Sequence, residues 1–143
     1  MFHRERVEMA AAPEAVWAVL VDVQGWRKWT ASVELIRRRE QGRPFALGSE
    51  AWVKQPRLPG ALWRVTGYEA GRAFTWESRS PGVRTVADHQ LRPTATGTEL
   101  ILELRQEGFL APLARLLLGR LIRRYLAMEA AGLKAYCEGL ART

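Results

Sequence analysis

The chain has 143 residues, 48% of them hydrophobic and 26% charged, and a formal net charge of +7. That length suits one domain with a real core, no stretch reaches the ~18 apolar residues of a membrane span, and the charged opening "MFHRERVEM" lacks the apolar run of a signal peptide. One cysteine and two histidines exclude an internal disulfide and a cysteine-rich zinc site, leave little for a multi-histidine metal site, and fit a cytoplasmic setting.

Residues 1–143 read as a single domain, without a linker, repeat or low-complexity segment. In "VEMAAAPEAVWAVLVDV" a strand hands over to a short helix. Pro13 suits a first helical turn and Glu14 suits the positive end of the helix dipole. Val16, Trp17 and Leu20 recur at helical spacing. Gly25 breaks that helix, and "GWRKW" is a second, very short helical turn with Trp26 and Trp29 on one face.

Six strands follow: "SVELIRRRE", "SEAWVKQ", "ALWRVTGYE", "AFTWESR", "RTVADHQLR" and "TELILELRQ". Pro and Gly signals fall between these runs, apart from Gly67, so the strands form a meandering antiparallel sheet. From Pro112 to about Leu140 the period changes to three and four, which predicts one long helix. One side of it carries Arg115, Arg120, Arg123, Arg124, Lys134 and Glu138. The other collects Leu118, Leu121, Ile122, Tyr125, Gly132, Leu133 and Tyr136. Gly132 there implies close approach to another element, and Glu129 on the same stripe needs a partner or water. Cys137, near the helix end, reads as a small buried apolar residue. A sheet bent strongly around such a helix leaves a cavity between them.

The order of elements and several phrases resemble the START-like superfamily, the polyketide cyclase/dehydrase and lipid-transport group. "MAAAPEAVWAVLVDVQGWRKW" is similar to its opening, "LPGALWRVTGYEAGRAFTWES" to its central hairpin, and "HQLRPTATGTELIL" to its penultimate turn. The resemblance runs on to "LKAYCE" and so covers nearly the whole chain. It implies the α+β helix-grip fold: a curved antiparallel sheet of about seven strands wrapped on a long C-terminal helix, with two short helices after the first strand. The family spans ligand carriers, cyclases, hydroxylase components and ligand sensors, so the fold alone does not fix an activity.

Alternation of side chains assigns the faces. Leu100, Leu102 and Leu104 point inward together, and Leu91 brings His89, Ala87 and Thr85 with it. Trp63 pairs with Val65, and Phe74 with Trp76. In "AWVKQP" the inward set is either Ala51, Val53 and Gln55 or Trp52 and Lys54. The first leaves the lysine in water but puts Trp52 outside. The expected cavity residues are therefore Gln55, Trp63, Trp76, His89, Tyr125 and Glu129, with Trp29 near the mouth. Aromatic walls with a few polar groups are the usual recipe for a small-molecule pocket.

Three readings follow. One is binding of a hydrophobic or aromatic small molecule, lipid-, isoprenoid- or polyketide-like. The second is a cyclase/dehydrase enzyme using the same cavity, with His89 and Glu129 as the acid/base candidates. The third is a partner-binding role for the basic surface, at a membrane or an RNA. No P-loop, dinucleotide fingerprint or nucleophile elbow is present. No cofactor and no metal are expected. The 19 arginines and 3 lysines are dispersed, so no DNA partner is expected, and the chain reads as a monomer or homodimer.

Overall fold

The computed structural model describes residues 2–143. Strand β1 (Phe2–Met9) leads into helix α1 (Pro13–Val21). Next come a 3-10 helix, η1 (Val23–Lys28), and strands β2 (Leu35–Arg38), β3 (Glu50–Lys54) and β4 (Ala61–Glu69). Strands β5 (Ala73–Ser80), β6 (Val83–Thr94) and β7 (Gly97–Glu107) precede the long helix α2 (Ala111–Ala141). The seven strands form one antiparallel sheet in the order β1-β7-β6-β5-β4-β3-β2. This is the helix-grip α+β fold that the sequence predicts. The bounds differ in detail. β2 is shorter than the run 32–40, and β6 continues through Pro93, which pairs with Thr98.

The face assignments follow the pleat. Val65, Phe74, Trp76, His89, Leu91, Leu100, Leu102 and Leu104 are all buried. On β3, Ala51 and Val53 are buried while Trp52 is 53% exposed, which settles the ambiguity of "AWVKQP" in favour of the first set. The register slips between Val65 and Gly67, a β-bulge that bends β4.

Helix α2 meets the sheet unevenly. Its C-terminal half is clamped at the β1–α1 corner: Lys134 Nζ donates to Glu8 O at 2.8 Å, and the Ala10 N–H donates to the Glu138 carboxylate at 2.8 Å. Tyr125, Leu126, Ala130, Leu133 and Cys137 are buried there. Between Ala111 and Tyr125 no residue of the helix is fully buried. The start of α2 instead rests on the β5–β6 turn, where the Leu110 N–H donates to Gly82 O at 3.0 Å. Gly82 has φ +75°, and a side chain there would strike Leu110, so only glycine suits both the turn and the contact. The first half of α2 thus spans a gap rather than filling it.

Candidate functional site

That gap is a cavity of about 430 Å³ between the concave face of the sheet and α2. Its walls combine Trp63, Trp76, Ala87, Leu102 and Leu104 from the strands with Leu118, Ile122, Tyr125 and Leu126 from the helix. Trp26 of η1 closes the deep end. Exposed Pro59, Gly60, Arg79 and Ser80 also line it, which marks the rim at the loop 55–60 and the β5–β6 hairpin.

The aromatic wall is a connected cluster. Trp76 lies 5.5 Å from Trp26 and 5.6 Å from Trp63, ring centre to ring centre. His89 stacks on Phe74 at 4.2 Å, nearly parallel, with Trp26 5.6 Å away. Offset and tilted rings of this kind add attraction beyond their burial. Trp26 is fixed further by its indole N–H, which donates to Leu20 O at 2.8 Å.

Among the ionisable groups of this lining, burial shifts two strongly, His89 and Glu129. His89 Nδ1 lies 3.3 Å from Phe74 O. A carbonyl only accepts, so Nδ1 carries the proton and Nε2 keeps its lone pair. Burial pushes the imidazole down to about 4, against weaker upward pulls from the Phe74 carbonyl and Asp88, so the ring is neutral at pH 7. Glu129 is pushed up to about 8 by burial alone. No hydrogen-bond or ion-pair partner reaches its carboxyl among the described residues. Its remaining accessible surface opens on the cavity. At neutral pH the cavity therefore offers one protonated carboxyl as donor and one imidazole nitrogen as acceptor.

Gln55, Trp63, Trp76, His89, Tyr125 and Glu129 are all brought to this cavity. Trp29 is not; its expected place at the mouth is corrected. It lies behind Trp26, 5.4 Å away, and its carbonyl presses on α2 at Gly132. The physical reason is helix geometry. Trp29 is the first residue beyond η1, and at φ −130° its backbone has already left the 3-10 turn that would have stacked it over Trp26. Its side chain is therefore set off from the face that Trp26 presents to the cavity, and Trp26 takes the inner position. Tyr125 supplies its ring to the wall, but its hydroxyl donates to Pro56 O and pins the rim loop to α2. Lys54 Nζ reinforces that loop by donating to Gln55 O and Leu58 O at 2.7 and 2.6 Å. Cys137 is buried and its thiol pushed up to about 11, so it is an inert part of the core.

The family model for polyketide cyclase/dehydrase and lipid transport proteins matches residues 3–138. The chain belongs to this family. Solved structures agree on the fold of this family member. A hypothetical protein from Helicobacter pylori superposes with a TM-score of 0.82 at 14% identity, over 96% of this chain and 88% of that one. The ZhuI aromatase/cyclase from a Streptomyces species gives 0.81 at 17% identity, over 96% and 93%. A protein from Thermus thermophilus gives 0.76 at 17% identity, over 100% and 99%. At these identities the likeness speaks for the fold. No curated protein matches the chain by sequence.

Proposed function

We propose that this family member binds a hydrophobic small molecule, lipid-, isoprenoid- or polyketide-like, in the cavity under α2. One observation carries the reading: a space of about 430 Å³ is walled by tryptophan and leucine yet contains a carboxyl without a partner among the described residues. That volume falls in the range of small-molecule sites. An uncompensated carboxyl in an apolar cavity costs free energy in the empty protein. A ligand oxygen that accepts from Glu129 removes that cost, and His89 Nε2 accepts from a ligand hydroxyl. Trp63 and Trp76 give the rest of the ligand flat apolar surface. Gln55 at the rim and the Tyr125 ring complete the contact.

A second reading, a cyclase/dehydrase reaction, draws support from the same two polar groups. Glu129 can donate a proton to a substrate carbonyl and His89 Nε2 can accept one. The depressed imidazole is a weak base, so binding is the reading the geometry favours.

Titration with a fluorescent naphthalene sulfonate probe tests the binding reading. Saturable one-to-one quenching of tryptophan is expected, and Ala114→Trp, which fills the space under the helix, abolishes it in a folded protein. Wild-type protein without saturable quenching overturns it. Turnover of a polyketide-like substrate that is lost in Glu129→Gln while binding persists would favour the enzyme.

A further inference from the structure

The first turns of α2 carry an apolar ridge that nothing among the described residues covers. Phe109 is 83% exposed, Leu116 80% and Leu117 69%, with Leu113 half exposed beside them. At 100° per residue, Leu113, Leu116, Leu117, Arg120 and Arg124 fall within a sector of about 100°, opposite the cavity-lining Ala114, Leu118 and Ile122. The ridge is thus the outer face of the same helix that roofs the cavity.

Charge decides what fits it. Residues 111–128 contain no acidic side chain and four arginines: Arg115, Arg120, Arg123 and Arg124. None of the four has an ion-pair partner among the described residues. Arg115, Arg120 and Arg123 also line a recess beside Leu116 and Leu117. Glu107 borders that recess, but Arg84 at 2.9 Å and Arg105 at 3.7 Å already neutralise it.

We infer that this face docks on a lipid bilayer bearing anionic headgroups. Protruding leucine and phenylalanine side chains enter the boundary of the acyl region while the arginines meet phosphates, the arrangement of an interfacial amphipathic helix. A second copy of this chain would bring arginines onto arginines. A nucleic acid would gain nothing from the exposed leucines. The β5–β6 turn, which carries the rim residue Ser80, is bonded to the start of this helix through Leu110, so docking brings that side of the rim close to the membrane. An apolar ligand can then pass between bilayer and cavity without crossing water. That passage rests on the small-molecule reading; the docking itself does not.

Co-sedimentation of the protein, without added ligand, with phosphatidylcholine vesicles containing phosphatidylglycerol tests the docking. Binding at 0.1 M salt is expected, with at least tenfold weaker binding to phosphatidylcholine alone. Arg120→Glu with Arg124→Glu should weaken it at least roughly thirtyfold, and Leu116→Ser with Leu117→Ser should abolish it. Arg37→Glu with Arg43→Glu makes the same change in net charge elsewhere and should leave most of it. No vesicle binding by the wild type overturns the proposal. So does an equal loss in both arginine pairs, which would mean diffuse adsorption of a basic protein. A wild-type dimer that the leucine variant converts to monomer also overturns it. Probe titration reads the cavity separately, so failure of either idea is visible alone.

Discussion

The backbone carbonyl of Trp29 occupies the space that any side chain at position 132 of α2 would need. Gly132 is what lets the helix lie directly on the end of η1. Gly132→Ala gains helix propensity of about 1 kcal/mol but forces two backbones apart. We expect a net loss of about 2–3 kcal/mol and a melting point lower by roughly 10 °C, read by thermal denaturation.

Trp29 and Trp26 should separate by phenotype. The Trp29 indole N–H is buried without an acceptor among the described residues, so Trp29→Phe removes an unsatisfied donor along with some apolar surface. Stability should change by less than about 1 kcal/mol and probe affinity not at all. Trp26→Phe removes the donor to Leu20 O and reshapes the deep wall. It should cost about 1–3 kcal/mol and weaken the probe. Denaturant melts and quenching titrations on the same samples read both quantities.

Glu129 makes stability depend on pH with a definite sign. Its folded pKa is raised from 4.5 to about 8, so between those values the folded state holds a proton that the unfolded state has lost. Stability therefore falls as pH rises from 4.5 to 8 and levels off above. His89 acts in the opposite direction: lowered from 6.5 to about 4, it makes stability rise with pH across that window. His3, also lowered by burial and by Arg123 and Arg115, adds to the same side. The opposing slopes offset one another between pH 4.5 and 6.5, and from pH 6.5 to 8 the Glu129 slope stands unopposed by the histidines. Glu129→Gln should remove that fall and stabilise the protein at pH 8 by a few kcal/mol, on the order of the shift itself. Melts of both proteins across pH 5–8.5 check this, and equal slopes would refute it.

Tyr125→Phe deletes the hydroxyl that holds Pro56 O. Stability should drop by about 1 kcal/mol. Amide exchange in the rim loop 55–60 should speed up while β6 and β7 keep their protection. Hydrogen exchange resolved by peptide measures it directly.

Much of the site was legible from period-two alternation because one face of the sheet is buried throughout. Leu91 carries His89 inward and the leucines of β7 carry one another, so His89, Trp63 and Trp76 could be placed without coordinates. Gln55 followed from Val53 on the same face. Trp29 could not be placed in this way. Its spacing from Trp26 is the same in an α-helix and a 3-10 turn, and only the backbone angles at 29 decide which indole goes inside. The isolation of the Glu129 carboxyl was equally hidden, since the stripe predicts burial but not whether a partner arrives. The uncovered leucines of α2 were illegible for a related reason. Helical spacing gives direction around the axis and says nothing of where along it the sheet stops.

The pairing of β1 with β7 has a consequence for how the chain is made. Arg4 meets Glu103, and Glu8 is held by Lys134 from far along α2. The opening strand has no lasting partner until nearly the whole polypeptide has been synthesised. Closure of the sheet is then a long-range, entropically slow event. During translation β1 waits as a bare edge, the stage at which this protein is most open to chaperones and to aggregation.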